Sequence, residues 1–280
     1  MHFNVDDSHR REEANRAGEP LTVERDTMKI AGLSAVVTGG ASGLGGAVAQ
    51  MLASERAKVT IFDLNATLGE AKAQEIGGRF ASVNVTDEVG VEAALLEAER
   101  HYGKARILVN CAGIGPPAKV ITKEGKAQPL DEFSKIISVN LMGTFNVLSK
   151  FAARIHDTSA IGEERGVIIN TASVAAFDGQ IGQVAYSASK GGLVGMTLPL
   201  AREFARYGIR VMTIAPGIFL TPLLASLSKE VQDSLGRQVP FPSRLGQPDE
   251  FALLVQSIII NPMMNGEVVR LDGAIRMAPK

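Results

Sequence analysis

The chain of 280 residues contains one cysteine, Cys111, so no disulfide can form within it, and a reducing compartment suits it. Its four histidines are His2, His9, His101 and His156, and none stands at ligand spacing to another. A metal site is therefore not expected. The net charge of −1 offers no basic field to nucleic acid or to an anionic membrane surface. Continuous apolar runs fall well short of the roughly 20 residues a membrane span needs. Internal repeats and low-complexity segments are also missing.

The first 27 residues lack the apolar stretch of a secretory signal and carry more Asp and Glu than Arg. That acidity also argues against a mitochondrial transit sequence. Composition predicts a flexible extension over 1–27, or a true start at Met28, followed by one domain over 28–280. A single α/β domain of this size needs neither a metal nor a disulfide to hold it.

From Met28 onward, short apolar runs alternate with longer amphipathic segments. Strands are predicted at Ala35–Thr38, Lys58–Asp63, Arg79–Val83, Ile107–Asn110, Gly166–Thr171, Ile209–Ile214 and Glu267–Leu271. Helices are predicted at Leu44–Ser54, Leu68–Ile76, Glu88–His101, Leu130–His156, Val184–Tyr207 and Pro248–Ile260, with a short piece after Pro222. Strict alternation implies a doubly wound α/β fold, a parallel sheet with helices on both faces. Gly115–Pro129, rich in Pro, Gly and Lys, reads as a loop inserted after a strand, at the sheet edge where ligands bind.

The first strand runs into Gly39-Gly-Ala-Ser42-Gly43-Leu44-Gly45, and these glycines open a helix. Such a turn lets the backbone approach a pyrophosphate, and the helix start attracts its charge. Glycine trios are common in loops, but this one has the strand-to-helix context the chemistry needs. Asp63 ends the second strand, 18 residues past Gly45. A carboxylate there accepts ribose hydroxyls and repels a 2′-phosphate, which favours NAD over NADP.

Tyr186 and Lys190 lie four residues apart, on one face of a predicted helix. A phenol titrates near 10, too high for a base at neutral pH. An adjacent ammonium and the positive ring of an oxidised nicotinamide would pull that value down. Tyr-x-x-x-Lys recurs on ordinary helices, so the surroundings decide its meaning. Thirteen residues before Tyr186, the fifth strand ends in Ala172-Ser173, whose hydroxyl is placed to hold a substrate oxygen. Asn140 falls mid-helix, where asparagine is a mediocre helix former, and is assigned to a water relay from Lys190. Asn110-Cys111-Ala112-Gly113 offers backbone toward the adenosine ribose. Pro216-Gly217 turns the chain toward the nicotinamide, with Thr221 aimed at its carboxamide.

Together these motifs resemble the short-chain dehydrogenase/reductase family, from Met28 to the C-terminus. The resemblance implies a seven-stranded Rossmann sheet, direct hydride transfer without a metal, and a homotetramer. It assigns Asn140, Ser173, Tyr186 and Lys190 to catalysis. A narrower likeness, in segments such as Gly166–Phe177, Val239–Gly246 and Asn265–Met277, is to the family's 3-hydroxyacyl-CoA dehydrogenase subgroup. That likeness implies reversible oxidation of a short-chain (S)-3-hydroxyacyl-CoA with NAD. It places Ser42, Leu44, Asp63, Val85, Cys111, Phe219 and Thr221 on the cofactor.

Two features depart from the family pattern. Asn84 stands where the family has an Asp that accepts from adenine, and its amide oxygen is expected to take that bond. The acidic extension fits a bacterial cytoplasm better than a mitochondrion. The alternatives to the leading reading are a hydroxysteroid or other secondary-alcohol dehydrogenase, and a non-catalytic dinucleotide-binding scaffold. Asp63 disfavours an NADPH-dependent 3-ketoacyl reductase. The substrate pocket is expected from Gly115–Pro129, Gln180, Gln183 and Phe219–Val239.

Overall fold

A computed structural model describes residues 28–279, so the extension predicted over 1–27 lies outside the described residues. Seven strands form one sheet in the order β3-β2-β1-β4-β5-β6-β7. They are β1 (Ser34–Thr38), β2 (Lys58–Asp63), β3 (Arg79–Ser82), β4 (Ile107–Asn110), β5 (Gly166–Thr171), β6 (Ile209–Pro216) and β7 (Val268–Leu271). Every pairing is parallel. The winding reverses between β1 and β4, and in such sheets ligands bind in the crevice beyond the strand carboxyl ends at that point.

Side chains alternate across a strand, and each central strand feeds two cores. Val37, Val109 and Ile169 join Val48, Leu52, Phe251 and Val255 on one face. Val36, Leu108 and Ile168 join Val147, Leu148, Phe151 and Leu200 on the other. Burial on both faces explains why the central strands read as unbroken apolar runs.

The helices on these faces are α1 (Gly43–Ser54), α2 (Ala66–Ile76), α3 (Glu88–Tyr102), α4 (Leu130–Ile137), α5 (Gly143–Ile155) and α6 (Val184–Phe204). They are followed by α7 (Pro222–Ala225), α8 (Lys229–Gly236) and α9 (Pro248–Ile260). Three differences from the sequence reading matter. The helix predicted over Leu130–His156 is interrupted by a π turn at Ser138–Met142. The strand predicted to stop at Ile214 continues to Pro216, still paired with β7. The segment Phe219–Val239 contains a second helix, α8, that periodicity did not show. The span Leu130–Ile155 has the length and hydropathy of a membrane helix, yet Val147, Leu148 and Phe151 pack it onto the sheet.

Away from the crevice, Arg210 on β6 is 5% exposed and pairs with Glu164, 7% exposed, at 3.1 Å. The same guanidinium donates to the carbonyls of Ile258, Ile259 and Met264, closing the end of α9. Arg210→Met is expected to destabilise the fold by about 3–5 kcal/mol, because Glu164 is left buried without its partner. Urea unfolding with an unchanged midpoint would contradict this.

Candidate functional site

The glycine turn after β1 is a cradle that side chains would fill. Gly39 has φ +64°, and a Cβ on it would lie 2.7 Å from Ala112 N. A Cβ on Gly45 would lie 2.2 Å from the Gly39 carbonyl. Ser42 begins α1 and spends no side-chain hydrogen bond on capping it. The first backbone hydrogen bond at this end is Gly46 N to Ser42 O, at 2.8 Å. The N–H groups of Gly43, Leu44 and Gly45 lie before it, in the first turn, and suit a phosphate. Leu44 packs its side chain onto the core beneath.

Asp63 steadies this loop. One carboxylate oxygen accepts from Ala41 N at 3.1 Å and the other from Asn65 N at 3.0 Å. A carboxylate oxygen takes two bonds, so each retains acceptor capacity for a ribose hydroxyl. Glycine cradle, helix start and Asp63 together fit the adenosine half of a nicotinamide dinucleotide.

Asn84 corrects its expected role. Its Oδ1 already accepts from Thr86 N at 3.1 Å and Thr86 Oγ1 at 2.9 Å. Both lone pairs are used, so the oxygen is not free for adenine. Val85 is buried, and Asn146 Nδ2 holds its carbonyl at 2.8 Å.

At the end of β4, Asn110 is structural. Its Nδ2 donates to Asn170 at 3.0 Å across to β5. Thr38 Oγ1 receives both Cys111 N and Ala112 N at 3.2 Å, which fixes the backbone opposite the glycine turn. Burial pushes the Cys111 thiol up to about 11, so it is a neutral thiol at pH 7. A Cβ on Gly113 would stand 3.2 Å from Asn140 Oδ1 and 3.6 Å from Lys190 Nζ. Those values place the β4 end directly over the polar constellation.

Tyr186 and Lys190 occupy the first turns of α6. Lys190 is 5% exposed, and its Nζ donates to the Thr171 carbonyl at 2.6 Å and lies 5.7 Å from the Tyr186 ring centre. Burial pulls the ammonium down to about 8. Ser173 Oγ accepts from Ala175 N at 3.1 Å, which fixes it at the start of the turn after β5, close enough to bear on the Tyr186 phenol. Burial pushes the Tyr186 phenol above its ordinary value, with the Ser173 bond opposing it. The sequence reading expected Lys190 and an oxidised nicotinamide together to lower that phenol; without the dinucleotide, burial and the Ser173 bond are what shift it.

Asn140 sits inside the π turn, completely buried. Its Oδ1 accepts from Ile114 N at 2.8 Å, while Nδ2 donates to Ile114 O at 2.8 Å and Ser189 Oγ at 3.0 Å. Its carbonyl, displaced from the regular helix ladder, takes the Thr144 hydroxyl at 2.8 Å. Both amide donors are spent, so the side chain clamps the β4 loop to α6, while Oδ1 keeps one acceptor position. Ser189, Thr171, Thr38 and Asn146 were missed as supports. Only Thr38, just before the glycines, carried a sequence signal.

Gly115 meets the Tyr186 ring, with a Cβ there 3.0 Å from it, so the inserted loop begins against the phenol. Two expected pocket residues are engaged elsewhere. Gln183 Oε1 accepts from Gln180 N, and Gln180 Nε2 donates to Ala278 O. Phe219 also departs from expectation, because its ring is buried edge-on against Phe251, centres 6.4 Å apart. Only its backbone remains for a cofactor. Pro216 ends β6, Gly217 packs against Asp272, and the Thr221 hydroxyl makes no capping bond to α7. A groove of about 610 Å³ between α3 and α5, lined by Glu92, Glu99, Lys150 and Arg154, contains none of these residues.

A model of the short chain dehydrogenase family matches residues 34–232. The human 3-hydroxyacyl-CoA dehydrogenase type-2 is 55% identical over 89% of this chain and 97% of its own. Ipsdienol dehydrogenase of Ips pini is 37% identical over 86% of this chain and 96% of its own. The crystal structure of 3-hydroxyacyl-CoA dehydrogenase type-2 from Mycobacterium avium superposes with a TM-score of 0.84 at 42% identity. It covers 89% of this chain and 98% of that one. With its sheet order, glycine cradle and half-buried Tyr186 beside the buried Lys190, the chain belongs to the short-chain dehydrogenase family and is an oxidoreductase using a nicotinamide dinucleotide.

Proposed function

We propose that the protein reversibly oxidises a short-chain (S)-3-hydroxyacyl-CoA to the 3-ketoacyl-CoA, with NAD as cofactor. The observation that carries the chemistry is the Ser173 hydroxyl against the Tyr186 phenol, with the Lys190 ammonium buried beside them. Ser173 holds the substrate oxygen. Tyr186 takes the hydroxyl proton during oxidation and returns it during reduction. Lys190 offsets the negative charge on the phenolate. A nicotinamide dinucleotide held by the glycine turn and Asp63 would supply the hydride acceptor. Asp63, with acceptor capacity to spare and no neighbouring Arg or Lys at 64–66, supports NAD over NADP.

The acyl-CoA assignment draws on the names of the most similar relatives and on charge. Lys119, Lys123 and Lys126 are exposed on the loop that begins at Tyr186, where a phosphate-bearing substrate tail would emerge. An assembly of four copies is part of this proposal, supported by Met142 and Phe145, 61% and 50% exposed. Cytoplasmic residence is also part of it, supported by the acidity of residues 1–27.

The test measures NADH formation from (S)-3-hydroxybutyryl-CoA and from the same acyl group on a truncated, phosphate-free thioester. NADP and a hydroxysteroid serve as further arms. Turnover of the CoA ester with NAD is expected. Truncation should raise KM about tenfold, the size of one charge-assisted hydrogen bond. Equal KM values would remove the lysines from substrate binding. Silence on the CoA ester with oxidation of the steroid would favour the second reading, an alcohol dehydrogenase in the manner of the Ips pini relative's name.

A further inference from the structure

The turn that carries Ser173 is anchored from the far end of the chain. Ser173 opens a 3-10 turn at Val174–Ala176, and Asp178 N donates back to Val174 O at 2.8 Å. The Asp178 carboxylate receives Arg270 Nη2 at 2.5 Å and Nη1 at 3.4 Å, across 92 positions of sequence. Arg270 stands on β7. Its Nε donates to Asp272 at 2.7 Å, Nη2 also donates to Ile275 O at 3.0 Å, and the guanidinium lies 5.2 Å from the Phe177 ring centre. The side chains of Arg270, Asp178 and Asp272 are 20%, 18% and 8% exposed, so water screens this network less than a surface pair.

The opposite side of the turn has no slack either. A Cβ on Gly179 would lie 2.3 Å from Ser187 Oγ, on the helix that carries Tyr186. Beyond it, Gln180 Nε2 donates to Ala278 O at 2.9 Å and Ile181 N to Pro279 O at 3.0 Å. Ala118 N then donates to Gly182 O at 2.9 Å, joining the inserted loop to the same segment. A continuous set of hydrogen bonds therefore runs from the C-terminal arm through 178–182 to the turn bearing Ser173.

We infer that Arg270 and Asp178 are positioning residues for the reaction, fixing through the Asp178 carboxylate where the Ser173 hydroxyl stands against Tyr186. The inference rests on the reading of Ser173 as the group that holds the substrate oxygen. Displacing a reacting contact by about 1 Å costs up to about 10²-fold in rate, so the clamp has a measurable consequence.

The experiment is a double-variant cycle in steady-state kinetics. It compares Asp178→Asn, Ser173→Ala and the pair combined. Asp178→Glu serves as the conservative control, and Arg270→Lys is the second route should Asp178→Asn fail to fold. Asp178→Asn is expected to lower kcat about tenfold or more, with the KM for the dinucleotide and the melting temperature nearly unchanged. In the Ser173→Ala background it should cost nothing further, because no hydroxyl remains to be placed. Asp178→Glu should restore most of the rate. An equal loss in both backgrounds would show a general structural effect and overturn the inference. A normal kcat for Asp178→Asn beside an impaired Ser173→Ala would overturn it while leaving Ser173 in its role. A fully active Ser173→Ala would remove that role itself.

Discussion

Tyr186→Phe is expected to lower kcat for alcohol oxidation by about 10³-fold, within the range attributed to a positioned acid or base. The change deletes one oxygen and leaves the ring, which packs against Gly115 at the start of the inserted loop. Loop and fold should survive, and dinucleotide affinity should stay within about twofold of the parent's. A loss confined to kcat is the signature of an interaction made only in the transition state. The two directions should also differ in pH dependence. Oxidation needs the phenolate and reduction needs the phenol. Burial pushes this phenol above its ordinary value, so oxidation rises across the alkaline range while reduction falls. Both measurements are absorbance assays at 340 nm. An undiminished rate in the variant would reject Tyr186 as the proton-transfer group, and parallel pH profiles would reject its titration as the controlling step.

The sheet was legible because its signal is local and redundant. Each central strand is an apolar run closed by a turn residue, and each helix repeats at its own period. The carboxyl-edge residues Gly39, Asp63, Ser173 and Tyr186 could be placed from sequence because each sits at a strand end or a helix start. The π turn at Asn140 was not legible. It adds one residue to a helical turn, and the apolar periodicity on either side absorbs the offset. Asn140 drew notice only as a poor helix former, and its work as a clamp depends on Ile114 and Ser189, 26 and 49 positions away.

Two side chains that the sequence reading turned toward the cofactor are engaged elsewhere for a shared reason. Phe219 and Asn84 were assigned by matching positions, whereas packing decides what their side chains do. Phe219 turns inward to meet Phe251, and Asn84 closes its own turn with Thr86. Arg270 and Asp178 were invisible for a different reason. An ion pair between residues this far apart in sequence leaves no periodic trace, and only the fold brings β7 beside the turn after β5.

Lys190→Met is expected to cost activity and to stabilise the protein, two effects that a purely structural lysine would not combine. The side chain is 5% exposed, and burial pulls its ammonium from 10.5 to about 8. A shift of that size corresponds to roughly 3 kcal/mol against holding the charge in the folded state at neutral pH. Methionine keeps most of the volume and carries no charge, but it gives up the bond to the Thr171 carbonyl, worth about 1–2 kcal/mol. The net gain at pH 7 is therefore about 1–2 kcal/mol, while kcat falls by about 10²-fold because no ammonium faces the phenolate. The sign of the pH dependence follows from proton counting. Between about pH 8 and 10.5 the unfolded chain keeps the lysine proton and the folded chain has lost it. Stability of the parent from this group therefore rises with pH through that window. The variant has no such rise, and its advantage should shrink toward pH 10.5. Urea unfolding of both proteins at several pH values from 7 to 10.5 measures the difference directly. Parallel curves would mean that Lys190 titrates normally in the folded protein. Converging curves with lost turnover would show a site that keeps a destabilising charge because its chemistry requires one.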